Sequence, residues 1–166
     1  LSDDYHPCQI LADLMTIQEK KGDLAGLKLA YIGDAANNMA NSYLIGGALA
    51  GMHVSVAAPA GYLPAAHIVR RAEDIASETG GSVSVFGTPE EAILGADAVA
   101  TDTWISMGQE DEKAKRIADF AGYTIDSELM AKADPGAIFL HCLPAYRGYE
   151  VAADVIDGPQ SVIWDE

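Results

Sequence analysis

Leu27-Lys28-Leu29-Ala30-Tyr31-Ile32-Gly33-Asp34, followed by a small-residue run over 37–49 and then by Met52-His53-Val54-Ser55-Val56-Ala57, reads as strand, helix and strand. Each strand candidate is short and almost continuously apolar, and Gly51 is placed to end the helix between them. A strand with one buried face alternates apolar and polar residues, whereas a strand covered on both faces does not. The unit is therefore expected in a parallel sheet with helices on both sides.

The alternation continues in both directions. Upstream, Ile10, Leu11, Leu14, Met15 and Ile17 recur at helical spacing over 7–21, with Pro7 suited to the first helical position and Gly22-Asp23 ending the run. Downstream, the pattern predicts a helix over 65–78, a strand over 82–86, a short helix over 89–94 and a strand over 96–100. Helical segments over 111–120 and 127–133, a strand over 137–140, a helix over 150–156 and a terminal strand over 161–164 complete it. This predicts a single α/β domain: a doubly wound parallel sheet of five to six strands with helices on both faces. If the first and fourth strands are neighbours, in an order 3-2-1-4-5, the loops after them flank the crevice where such sheets bind ligands.

Composition narrows the partners. With 10 Lys+Arg against 25 Asp+Glu, the formal charge of −15 argues against nucleic acid and favours a cationic small molecule. No run approaches the roughly 18 apolar residues of a membrane span, and the first fifteen residues lack a basic-then-apolar leader. Cys8 and Cys142 lie in motif-like strings without zinc-ligand spacing, so no metal is expected and a reducing, cytoplasmic setting is the default. The chain opens on Leu1 in mid-motif, which is expected of an internal piece of a longer protein.

Four polar clusters sit at element junctions, and each has a plain structural alternative. His6 and Gln9 flank a helix start whose free backbone N–H groups suit a phosphate or carbamoyl group; alternatively His6 caps the helix and Gln9 is solvated. Gly33-Asp34-Ala35-Ala36-Asn37-Asn38 occupies a strand-to-helix turn but lacks the second and third glycines of a dinucleotide site, so no nicotinamide or flavin cofactor is expected. Its amides can hold an amino acid, or one Asn caps the helix while Asp34 shapes the turn. Asp102, with Trp104 and Ser106-Met107-Gly108 beyond it, offers a carboxylate for an ammonium and a loop to close over it, or merely ends a strand. His141-Cys142-Leu143-Pro144 delivers a thiol to the end of a buried strand, but adjacent residues point to opposite sides, which makes a His141–Cys142 catalytic dyad awkward. A small buried thiol is the alternative for Cys142.

Taken in order, His6-Pro7-Cys8-Gln9, Gly33-Asp34 with Asn37-Asn38-Met39, Asp102-Thr103-Trp104-Ile105-Ser106-Met107-Gly108 and His141-Cys142-Leu143-Pro144-Ala145-Tyr146-Arg147-Gly148 resemble the ornithine carbamoyltransferase family over essentially the whole chain. The resemblance implies a Rossmann-like second, ornithine-binding domain spanning 1–166, with the first, carbamoyl phosphate-binding domain and the extreme C-terminus outside this chain. It implies that His6 and Gln9 contact the carbamoyl group, that Asn38, Asp102, Ser106 and the Met107 backbone hold ornithine, and that Cys142 and the Leu143 backbone line the reacting centre. Asp102 and Cys142 carry the catalytic expectation, while Cys8, Asn37, His141 and Arg147 are expected to be structural. The related aspartate enzyme lacks the cysteine and the Ser-Met-Gly loop. The implied enzyme is a homotrimer of arginine biosynthesis that needs no cofactor and converts L-ornithine and carbamoyl phosphate to citrulline and phosphate; the 166-residue piece alone is expected to be inactive. The competing readings are a carbamoyltransferase for putrescine or N-acetylornithine, a noncatalytic amino-acid-binding module and a nucleotide-binding domain.

Overall fold

The computed structural model describes residues 1–105, 108 and 110–166. Five parallel strands, β1 (Lys28–Ile32), β2 (His53–Ala57), β3 (Ser82–Phe86), β4 (Ala98–Thr101) and β5 (Ile138–His141), pair in the order β3-β2-β1-β4-β5. The first and fourth strands are thus neighbours, as the crevice argument required. Helices α1 (Pro7–Lys21), α2 (Asn38–Leu49) and α3 (Ala66–Thr79) cover one face; α4 (Pro89–Ile93), α6 (Ser127–Met130) and α7 (Ala153–Ile156) cover the other. A 3-10 turn over Glu110–Glu112 leads into α5 (Lys113–Asp119).

The missing alternation in β1 has its expected cause. Leu29 and Tyr31 enter one core with Met39, Tyr43 and Leu44 of α2, whereas Ala30 and Ile32 enter the other with Val99, Phe139 and Ile93. Each large side chain so buried contributes about 1.5–3 kcal/mol. The small residues of α2 let it fit between α1 and the sheet: a Cβ on Gly46 would lie 2.5 Å from Ile10 Cγ1, and one on Gly47 would lie 2.5 Å from Val54 Cγ2.

Two expectations need correction. The terminal strand over 161–164 is reduced to one bridge between Ser161 and Phe139, because the chain turns after Val162 and is drawn to α1. There the Asp165 carbonyl accepts from Thr16 Oγ1 at 3.3 Å and its carboxylate pairs with Lys20 at 2.7 Å. The buried stripe of α1 is Ile10, Asp13, Thr16 and Ile17, while Leu11 and Met15 are exposed. A carboxylate thus occupies a position on the face turned toward the core.

Candidate active site

The register of β4 and β5 builds the centre of the site. Thr101 stands opposite His141, so the next residues, Asp102 and Cys142, leave neighbouring strands side by side. The Cys142 thiol donates to Asp102 Oδ1 at 3.4 Å, and the same oxygen accepts the Thr103 N–H at 2.7 Å. Asp102 Oδ2 accepts from Asn37 Nδ2 at 3.2 Å. Burial raises the Asp102 carboxyl above the usual carboxylate range, with the Thr103 N–H acting against it. Burial, and then the facing Asp102 charge, push the Cys142 thiol far above its ordinary range. Cys142 is accordingly a neutral thiol that donates to a carboxylate, and not a thiolate nucleophile.

His141 turns away from the thiol. Its ring is fully buried, Nδ1 accepts the Leu143 N–H at 3.0 Å, and Nε2 meets Glu150 Oε1 at 3.1 Å. An Nδ1 that accepts leaves Nε2 as the ring N–H, donating to the carboxylate. Glu150 Oε1 also accepts the Tyr146 N–H at 2.6 Å, so one buried carboxylate gathers the turn over 141–150. Leu143, at the cis Leu143–Pro144 bond, holds a φ of 54°, a left-handed conformation that costs a leucine about 1–2 kcal/mol and is sustained here by the His141 bond. Asp102, His141 and Cys142 each bring a potential metal-ligand atom within 4.8 Å of the others, but both His141 ring nitrogens are engaged in these hydrogen bonds.

The turn after β1 faces this centre. Asp34 Oδ1 accepts the Ala36 N–H at 3.0 Å, shaping the turn, and Oδ2 pairs with Arg116 Nη1 at 2.7 Å. Arg116 Nη1 also donates to the Trp104 carbonyl at 2.9 Å, fastening the segment after Asp102 to the segment after β1. Asn37 caps α2 by accepting the Ala40 N–H at 2.8 Å and still reaches Asp102 through Nδ2. Asn38, the residue expected to hold substrate, donates instead to the Ser2 carbonyl at 2.8 Å. Arg147 lies outward, paired with Asp157 at 2.6 Å, so Arg116 is the arginine built into the site's frame. Ser106 and Met107 lie outside the described residues.

The helix start completes the cluster. His6 precedes α1 without a side-chain cap, its backbone N–H donates to Ser42 Oγ at 2.8 Å, and its Nδ1 is buried with no hydrogen-bond partner among the described residues. Gln9 Nε2 donates to the fully buried Asp13 at 2.8 Å. Tyr43 and the Glu166 carboxyl lie close to Asp13, and Glu166 Oε1 accepts the His141 N–H at 2.9 Å, which connects this cluster to the end of β5. Burial, with the neighbouring Asp13 charge, pushes Glu166 up to about 8. Sequence reasoning passed over Glu150, Asp13, Arg116 and Glu166. Only Asp13 carried a signal, being an acid at the spacing of the apolar stripe formed by Ile10 and Ile17.

Residues 25–166 match the aspartate/ornithine carbamoyltransferase, Asp/Orn binding domain family. An ornithine carbamoyltransferase of Clavibacter sepedonicus is 66% identical over all of this chain and 54% of its own length. The solved ornithine carbamoyltransferase of Pyrococcus furiosus is 48% identical with a TM-score of 0.94, over 99% of this chain and 52% of that one. An acetylornithine transcarbamylase complexed with acetylcitrulline shares the fold at a TM-score of 0.84 but only 29% identity, over 97% of this chain and 51% of that one. The chain belongs to the aspartate/ornithine carbamoyltransferase family, and it spans about half the length of the curated relatives it matches.

Proposed function

We propose that this chain is the ornithine-binding half of an ornithine carbamoyltransferase, which moves the carbamoyl group of carbamoyl phosphate to the side-chain amine of L-ornithine and releases citrulline and phosphate. The observation that carries this reading is the buried Asp102 carboxylate bridged to the Cys142 thiol at the β4–β5 edge. An alkylammonium with a pKa near ~10.4 is free base in less than about one molecule in a thousand at neutral pH, so the site has to help the amine lose a proton before it attacks. Asp102, whose proton affinity burial has raised, receives that proton; Cys142, a neutral thiol, orients the amine. The amine's lone pair then forms the new C–N bond while the carbamoyl oxygen takes the developing charge beside His6, Gln9 and the first-turn N–H groups of α1; as the C–O bond to phosphate breaks, the nitrogen passes its second proton to the departing phosphate. In this reading Asn38, exchanging its bond to the Ser2 carbonyl for the substrate, holds the rest of the amino acid together with Ser106 and the backbone of Met107 and Leu143.

A phosphate dianion calls for several cations. Arg116 and Arg147 are already paired with Asp34 and Asp157, which supports supply of the phosphate site by a first domain elsewhere in the complete protein. Leu11 and Met15, one turn apart on α1, and Trp164 are exposed apolar side chains suited to meet such a domain. The complete enzyme is taken to be a cytoplasmic homotrimer of arginine biosynthesis, for which the free Cys8 and Cys142 fit a reducing compartment. The test is citrulline formation by the full-length protein with ornithine, N-acetylornithine, putrescine and aspartate compared at equal concentration. Preference for ornithine by at least tenfold is expected, and a faster reaction with any other amine overturns the assignment.

A further inference from the structure

We infer that Asp13 is a positioning residue that fixes which end of the Gln9 side-chain amide meets the carbamoyl group, and so makes the site select a carbamoyl over an acetyl donor. The inference rests on the proposed contact between Gln9 and carbamoyl phosphate. Gln9 and Asp13 are four residues apart on α1 and share one face. An ionised carboxylate only accepts hydrogen bonds, so it takes Gln9 Nε2, at 2.8 Å, and leaves Oε1 as the amide atom not turned toward it. Asp13 is fully buried, which holds it in that role without competition from solvent. The groups around it are Tyr43, Glu166 and His6, besides Gln9. Burial raises both carboxyls, Glu166 up to about 8, while the hydrogen-bonding side chains of Tyr43, Gln9 and Glu166 gathered on Asp13 favour the charge there.

The Oε1 left on the other side of the amide is an acceptor, and an acceptor distinguishes the two donors. Carbamoyl phosphate carries an NH2 group where acetyl phosphate carries a methyl group of similar size, and only the first can donate. An amide turned the other way would present N–H groups to that NH2 and lose the distinction. One hydrogen bond of this kind corresponds to about a tenfold change in affinity.

The full-length enzyme tests this with carbamoyl phosphate as substrate and acetyl phosphate as competitive inhibitor. Asp13→Asn, which keeps the shape but lets the Gln9 amide turn, should weaken carbamoyl phosphate about tenfold while acetyl phosphate stays within twofold. Equal weakening of both donors, or of neither, overturns the inference. A second arm does not depend on that variant: in a Gln9→Met background, Asp13→Leu replaces both buried partners by apolar groups and should leave carbamoyl phosphate affinity within twofold of Gln9→Met alone. A further tenfold loss there shows that Asp13 acts other than through Gln9 and overturns the inference. If Gln9→Met by itself leaves the preference for carbamoyl over acetyl phosphate unchanged, it is the assignment of Gln9 to the carbamoyl group that fails.

Discussion

At the ends of β4 and β5, Asp102 is bonded to Cys142 and Asn37, and the adjacent His141 to Glu150, two neighbouring sets of hydrogen bonds in which Glu150 Oε2 is the one buried side-chain atom left unpaired among the described residues. At the start of α1, by contrast, His6 Nδ1 is buried without a hydrogen-bond partner among the described residues, and Asp13 Oδ2, Tyr43 Oη and Glu166 Oε2 crowd together there without closing a well-formed bond. The first region is pre-organised by this chain alone, because the strand register places its members. The second carries polar groups whose desolvation costs about 1–3 kcal/mol apiece until something pairs with them. The amine pole of the proposed site is therefore finished within the domain, and the carbamoyl pole is conditional on what enters it.

Asp102→Asn in the full-length protein breaks the comparison most directly. It should lower kcat/KM for ornithine by about 10²–10⁴-fold while leaving the carbamoyl phosphate KM nearly unchanged, since it removes the proton acceptor of one pole only. A change below threefold would show that the pre-organised pole is not where the chemistry occurs. Next in size, Glu150→Ala leaves the His141 ring N–H and the Tyr146 N–H without an acceptor and should cost about 2–4 kcal/mol in urea unfolding, with a raised ornithine KM as the 141–150 turn loosens. Glu150→Gln, which retains an acceptor oxygen, should recover most of both.

The second pole is tested by pH. Glu166 in the folded chain keeps its proton to about 8, against an ordinary value of 4.5, so the unfolded chain binds fewer protons between those limits. Stability should consequently fall as pH rises from about 5 to 8, by at most ~1.4 kcal/mol per pH unit, and Glu166→Gln should flatten the slope. A slope of the opposite sign would mean that the carboxyl pair is relieved in solution. The smallest effect contrasts two tyrosines whose ring centroids lie 5.5 Å apart. Tyr31 donates to the Asp34 carbonyl at 3.1 Å, whereas the Tyr43 hydroxyl faces Asp13 without closing a well-formed bond. Tyr31→Phe should cost about 1 kcal/mol and Tyr43→Phe distinctly less.

Much of the first pole was legible as residues but not as bonds. The junction rule placed Asp34, Asp102 and Cys142 after strand ends, and the awkwardness of a His141–Cys142 dyad followed from their adjacency on an extended segment. A cap from one of Asn37 and Asn38 and a structural role for Asn37 are both readable locally, and Asn37 is the one that caps α2, but its contact with Asp102 spans 65 positions and leaves no local trace. Glu150 was read as the start of a helix that begins only at Ala153, because an isolated acid in a polar turn looks solvated until the turn is folded over it. Arg147 stood nearer to a motif in sequence than Arg116, yet it is Arg116 that reaches Asp34 across 82 positions.

By itself the sequence determined the layered α/β architecture, since doubly covered strands require apolar residues on both faces and the helices that cover them require a 3.6-residue stripe. It also determined which four stretches carry reactive groups, and those stretches, with the family match, place the chain among the aspartate/ornithine carbamoyltransferases. Only the tertiary structure decided that β4 and β5 align Thr101 with His141, that the thiol donates to Asp102 while the imidazole serves the backbone turn, and that Asp13 stands behind Gln9. The reason is one of range. Periodicity and turn chemistry act over a few residues, whereas a buried hydrogen bond between distant segments exists only once the whole sheet has brought its strand ends together.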